Sequence, residues 1–339
     1  MDYRLITTLE DFDRLAPTWN TLLSDSITNS PFLRHEYLQT WWQTLGGGEW
    51  EAGQLAIVTA TEHDELRGVA PLFLTENNES ESALVLLGGI EVSDYLDVIV
   101  RQRDLSGFIS GLLDFLAGSG QMSWRLLEWY NLLEDSPTLI VLKNEAMKRG
   151  WSFTQERFRP ALYIPLPGDF ETYLGSLDKK QRHEIRRKMR RAVESNLNIR
   201  WYIVEEASTL DFEIDDFLRI MAQEPKKERF LTPLMRSQMR ATIQAAFRAG
   251  WLQMAFLEID GEKACGYLNF DYANRIWVYN SGIDGRFIDL SPGWVLLGHL
   301  LQWANDHQYT EFDFMRGDEN YKYKFGAVAR FVVRAKVVR

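Results

Sequence analysis

The chain has 339 residues, 45% hydrophobic and 25% charged, the balance of a folded water-soluble protein and enough length for two domains of about 150 residues each. Its one cysteine, Cys265, excludes a disulfide within the chain, and no apolar run approaches the roughly 20 residues that a membrane span needs. The formal charge of −10 is uneven: residues 1–160 carry 12 Lys and Arg against 24 Asp and Glu, and residues 161–339 carry 26 against 24. The acidic half is therefore a poor polyanion surface, and the near-neutral half holds one dense basic stretch. The opening MDYRLITTLEDF has no basic stretch followed by an apolar one, so a cytoplasmic location without membrane insertion is expected.

In chain order, the pattern predicts a strand over 3–7, a helix over 9–23, and an aromatic-rich helix over 34–45 that ends at Gly46-Gly47-Gly48. Strands over 54–61 and 66–75 form a hairpin around His63-Asp64-Glu65. Further strands are expected over 83–87, 95–100, 124–129 and 152–155, with helices over 105–117 and 137–149. Pro165-Leu166-Pro167-Gly168 reads as a linker. After it come a helix over 178–195, a strand over 198–204, and helices over 211–223 and 232–249. Strands over 252–259 and 263–272 flank a tight Asp260-Gly261 turn, and a third covers 275–282. An apolar helix then begins at Ser291-Pro292-Gly293, followed by strands over 311–315 and 331–338. The predicted domains are 1–165 and 166–339, with a similar α+β layout in each.

Four features could carry chemistry. The first is the Ser291-Pro292-Gly293 helix start: Ser caps, Pro fits the first helical position, and Gly293 leaves room beside the N–H groups of Gly293, Trp294 and Val295. Such an end favours an anion, and it also serves as an ordinary cap. The second is Asp313, set between Phe312 and Phe314 in a strand. A buried carboxylate needs partners. It reads either as a general base, as an anchor for a catalytic Lys or Tyr, or as an acceptor for loop N–H groups. The third is the pair Tyr321 and Lys322, where a phenol could protonate a leaving thiolate and an ammonium could stabilise an oxyanion or hold a phosphate.

The fourth is the helix DKKQRHEIRRKMRRAVES, with eight Lys and Arg between Lys179 and Arg191. Asp178 and Gln181 form a capping box. Ile185, Met189, Ala192 and Val193 make an apolar stripe, with Arg182 inside it and Arg186 at its edge; both need a partner, either a carboxylate such as Asp313 or a ligand phosphate. The other basic residues point outward, and RNA binding there is the minor reading. The five histidines have no metal-ligand spacing, so no metal is expected; His299 and Cys265 read as core residues.

The run SLDKKQRHEIRRKMRRAVE, together with YNSGID, LSPGWVL, FDFMRGDENYKYKFG and the N-terminal PFLRHEYLQTWW, resembles one branch of the GNAT acyltransferases. That branch comprises the Fem-type double-GNAT proteins and the cellulose-biosynthesis-protein-like (CelD-like) acetyltransferases. The usual GNAT pyrophosphate signature, Q/R-x-x-G-x-G/A, is replaced here by Asp289-Leu290-Ser291-Pro292-Gly293. The resemblance implies an α+β fold of two GNAT-like domains, each a mixed, mostly antiparallel sheet flanked by helices, with the active cleft mainly in the second. It implies an enzyme that moves an acyl group, acetyl foremost, from acetyl-CoA or another acyl-CoA to an amine or hydroxyl of a small molecule or glycan precursor. On that reading Asp313, Tyr321 and Lys322 are the catalytic residues, and Ser291, Gly293, Trp294, Arg182 and Arg186 hold the donor. Two alternatives accompany it: a Fem-type transferase using aminoacyl-tRNA, and a non-catalytic accessory protein of polysaccharide biosynthesis. DNA is not an expected partner.

Overall fold

The computed structural model describes every residue except 51, 52, 78, 119 and 121. The chain divides into two compact units, Met1–Pro160 with Arg330–Arg339, and Ala161–Ala329.

The first unit runs β1 (Asp2–Ile6), α1 (Leu9–Asp13), α2 (Ala16–Ser24), α3 (His35–Leu45), β2 (Gly53–Leu55), β3 (Ile57–Glu62), β4 (Glu65–Ala70), β5 (Leu72–Glu76), β6 (Ser82–Leu86), β7 (Ile99–Val100), α4 (Leu105–Gly118), β8 (Leu126–Leu133) and α5 (Pro137–Lys148). The helix expected over 9–23 is two helices, because Pro17 opens α2 and cannot continue α1. The hairpin turns at His63-Asp64, both at positive φ, but each of its expected strands is broken in two. β3 and β4 pair in an antiparallel sheet of order β1-β3-β4-β7, whereas β2 and β5 pair with each other. The breaks fall at Ala56 and Pro71, and Pro71 has no N–H with which to continue a ladder. Only Ile99–Val100 of the strand expected over 95–100 forms, since Tyr95 takes φ 52. β6 and β8 are parallel neighbours through Ala83–Leu126 and Leu84–Leu127.

The second unit takes in the end of β9 (Ser152–Pro165), then α6 (Phe170–Ser176), α7 (Lys179–Val193), β10 (Ile199–Ile203), α8 (Leu210–Met221), α9 (Pro225–Phe230), α10 (Pro233–Arg248), β11 (Leu252–Ile259), β12 (Glu262–Tyr272), β13 (Arg275–Ile283), α11 (Pro292–Asp306), β14 (Glu311–Arg316) and α12 (Asn320–Lys324). β15 (Val328–Val338) follows, and its residues from Arg330 belong to the first unit. The sheet order is β10-β11-β12-β13-β14-β9, antiparallel except for β13 and β14, which run parallel. The short helices α6, α9 and α12 have no counterpart in the sequence reading, because each is too brief to show a period.

α11 is the central helix of this unit. Ten of its fifteen residues are buried, as its all-round apolar sequence predicts. It packs between the sheet and α7, where Ile185 is buried and the Met189 sulfur fills the space beside Gly298. α8 and α10 cover the other face through Phe217 and Ile243, packed with Phe256 of β11. β13 approaches α8 so closely that a Cβ on Gly282 would lie 2.7 Å from the Met221 nitrogen, a backbone atom with no freedom to yield. Gly282→Ala is therefore expected to destabilise the protein by about 1–3 kcal/mol, read from denaturant midpoints. An unchanged midpoint would show that α8 can shift away.

Candidate active site

The two parallel strands β13 and β14 pair only through Arg275–Glu311, Ile276–Phe312 and Trp277–Asp313. Beyond these three pairs both strands bulge. The register of β13 against β12 slips between Leu268 and Asn269, leaving Tyr279 as the extra residue. β14 slips between Asp313 and Arg316, with Met315 at φ 55. The bulges turn the strands apart, and a cleft of about 770 Å³ opens between them. Its apolar walls are Tyr267, Trp294, Phe314, Tyr321 and Phe325; its polar rim includes Glu224, Lys227, Asn280 and Lys322.

Asp313 is fully buried at the last paired position, before the strands part. Its Oδ1 accepts the Met315 N–H at 2.6 Å and so braces the bulge. Asp313 thus accepts a backbone N–H within β14 itself, and it does not line the cleft. Lys322 does line the cleft, with 4% of its surface exposed. Its ammonium donates to the carbonyls of Phe314, Arg316 and Gly317 at 3.3–3.4 Å and pairs with Glu319 at 2.7 Å. Three protons thus face four acceptors, so Lys322 ties down the loop after β14.

Tyr321 has the opposite character. It lines the cleft beside Phe314, and its hydroxyl has no hydrogen-bond partner among the described residues. Burial, with Glu319 second, pushes its phenol well above the ordinary value of 10, so the hydroxyl keeps its proton. Tyr267, on β12, is also buried in the wall and raised by burial. Sequence reading missed Tyr267, Glu224 and Lys227. Tyr267 sits in a strand that reads simply as core, and the other two lie at the unrecognised α9, where the Lys227 ammonium donates to the Ser281 carbonyl on β13 at 2.6 Å.

At the start of α11, Ser291 takes φ 54 and its hydroxyl makes no capping bond. The N–H groups of Trp294 and Val295 both donate to the Ser291 carbonyl, at 3.0 and 3.2 Å. Only the Gly293 N–H remains, and a Cβ there would meet the Ile283 side chain at 2.8 Å. Expected as three free donors, this helix start offers one, the Gly293 N–H.

The two arginines expected to point inward find other partners. Arg182 donates to the Gly175 carbonyl at 3.2 Å, and Arg186 pairs with Glu171 near the surface. Neither lines the cleft, and neither has Asp313 as its partner. Lys188, expected to point outward, is the cation that turns in: its ammonium lies 4.1 Å from the Trp294 ring centroid. Burial lowers its pKa. Val193, assigned to the apolar stripe, is 79% exposed, since the helix ends there beyond its contact with α11. His299 stacks on Trp201 at 5.6 Å, and buried Cys265 has its thiol pushed up by burial.

Residues 179–323 match the family model described as acetyltransferase (GNAT) domain. The fold of this unit is a GNAT fold. Solved structures extend the likeness to the whole chain. FemX superposes with a TM-score of 0.65 at 12% identity, covering 99% of this chain and 97% of that one. A Bacteroides thetaiotaomicron protein of unknown function gives 0.63 at 13%, covering 100% of each. L-PGS from Bacillus licheniformis gives 0.56 at 12%, covering 94% and 90%. No curated protein matches the chain in sequence. Among the described residues, no helix is long and apolar enough to cross a membrane.

Proposed function

We propose that the second unit is an acyltransferase whose reaction takes place between β13 and β14. The observation that carries this reading is the parting of these strands beside Tyr321, a partly buried cleft residue whose hydroxyl makes no hydrogen bond among the described residues. An acceptor amine or hydroxyl attacks the donor carbonyl carbon, giving a tetrahedral adduct. As the bond from carbon to the leaving group breaks, Tyr321 gives its phenolic proton to the departing sulfur or oxygen; the acceptor's proton passes to solvent, and solvent restores the phenol. Lys322 and Asp313 act through position, by fixing the loop and bulge that hold Tyr321. The acceptor class is a small molecule or glycan precursor.

Acetyl-CoA is the first donor to test, on the strength of the GNAT match. The single free N–H at α11 supports a second reading, an aminoacyl-tRNA donor, and so does the likeness in fold to FemX. The two separate by ligand-induced stabilisation. Acetyl-CoA at about 100 times its dissociation constant would stabilise the fold by roughly 2.7 kcal/mol. Such a rise in thermal midpoint supports the CoA donor; no response to any CoA species, with RNase-sensitive transfer, supports the other. Absence of transfer from either donor would overturn the acyltransferase reading.

A further inference from the structure

We infer that Tyr267 is a second catalytic tyrosine, whose hydroxyl holds the donor's carbonyl oxygen while negative charge gathers on it. Tyr267 stands on β12 opposite Ser281 of β13, just before the register slip at which β13 leaves its regular pairing. It lines the cleft, yet it is only 4% exposed, and its ring belongs to the core that includes Val278, Leu297 and Phe325. Its hydroxyl makes no hydrogen bond among the described residues. Burying a hydroxyl without a partner is unfavourable. In the wall of a cleft such a group is explained when a bound molecule completes its hydrogen bonding.

The two cleft tyrosines differ in ways that divide the work. Tyr321, on α12, is only partly buried, so it can regain a proton from solvent after giving one away. Tyr267 lies deeper, and burial holds its phenol well above the ordinary value of 10, with the nearby Tyr321 as a second cause. A proton held that firmly, away from water, is shared in a hydrogen bond and not released. Other donors near this wall are engaged: Lys322 with backbone carbonyls and Glu319, the Lys227 ammonium with the Ser281 carbonyl, and the Ser281 N–H with the Asn280 side chain. In the reaction proposed above, the acceptor attacks the carbonyl carbon and the π pair of C=O moves onto oxygen. The Tyr267 O–H donates to that oxygen and keeps its proton. The pair returns to re-form C=O as the bond to the leaving group breaks, and Tyr321 supplies the leaving group's proton. A fixed donor in an apolar wall strengthens as the charge develops, so it lowers the barrier more than it tightens binding. The inference rests on the acyltransferase reading, whichever donor carries the acyl group, because a thioester and an ester both present a carbonyl oxygen.

The test is Tyr267→Phe in the full chain, which keeps the ring and removes only the hydroxyl. Turnover is measured with an acyl donor and acceptor on which the unaltered protein acts, acetyl-CoA being the first donor. The variant should lower kcat by about 10²–10³-fold and leave KM little changed. No internal hydrogen bond is lost, so the thermal midpoint should match that of the parent. A second readout needs no acceptor. Infrared spectra of bound acetyl-CoA, labelled with carbon-13 at its carbonyl, should place the carbonyl stretch lower in the parent than in Tyr267→Phe, since a hydrogen bond to the oxygen weakens the double bond. An unchanged kcat, with the parent active, overturns the role of Tyr267 and leaves the acyltransferase reading in place. Lost turnover with a lowered thermal midpoint, or with an unmoved carbonyl band, assigns the hydroxyl to structure and also overturns the inference. If the variant does not fold, the parent decides: a bound carbonyl band at its position in an apolar solvent means that no donor meets the oxygen, and a lower one sustains the inference. If the parent takes its acyl group only from aminoacyl-tRNA, kcat and the thermal midpoint decide alone. Inactivity of the parent with every donor overturns the acyltransferase reading and the inference together, and it is recognised without any variant.

Discussion

Tyr321→Phe is expected to lower acyl transfer by about 10²–10³-fold and leave the fold intact. The phenol lines the cleft and makes no hydrogen bond among the described residues, a property it shares with the more deeply buried Tyr267, and Phe keeps the ring that packs on Phe314. No internal hydrogen bond is lost, so the thermal midpoint should stay within about 2 °C of the parent. The pH profile gives a second readout. Burial and Glu319 both favour the neutral phenol, so the protonated form persists through pH 10, where a free tyrosine ionises. Activity that depends on this proton should therefore hold to pH 10 and fall only above it. Full turnover in Tyr321→Phe would remove the residue from the mechanism, and a limb well below pH 10 would assign the titrating group elsewhere.

Lys322→Met should have its main effect on stability. The ammonium satisfies three backbone carbonyls in a buried setting, and methionine fills the space but donates nothing. The expected loss is about 1–3 kcal/mol, the cost of leaving buried acceptors unpaired. Glu319 is 57% exposed and regains water, so its freed charge adds little. Transfer should fall too, because the loop carrying Tyr321 loses its tie. Denaturant unfolding and turnover measured together separate the roles: a large loss of turnover with no change in stability would show that Lys322 acts on the reacting atoms. The equivalent control, Asp313→Asn, keeps an oxygen for the Met315 N–H and should retain most of its stability.

Much of the candidate site is legible in the order of residues, though not the division of labour within it. The FDFMRGDENYK segment stands out because polar residues interrupt an aromatic strand, and Tyr321 and Lys322 both reach the cleft. Asp313, in the same segment, does not, because the positive φ of Met315 turns its N–H back onto the carboxylate. Helical angle alone puts Arg182 and Arg186 on the inward side. Angle identifies a side, but a long side chain ends wherever the nearest acceptor lies, here Gly175 and Glu171. Lys188 reverses the error, since the aromatic ring of Trp294 makes an inward position tolerable for a cation.

The sequence by itself determined the α+β class, the burial of α11, the capped basic helix α7 and the polar segment after β14, because each rests on a period or a cap contained within about twenty residues. Only the tertiary structure decided where β13 and β14 part, which of the polar groups face the cleft, and that Ser291 takes up the N–H groups of its own helix. These depend on two bulges and on contacts between segments far apart in sequence, for which no local pattern exists.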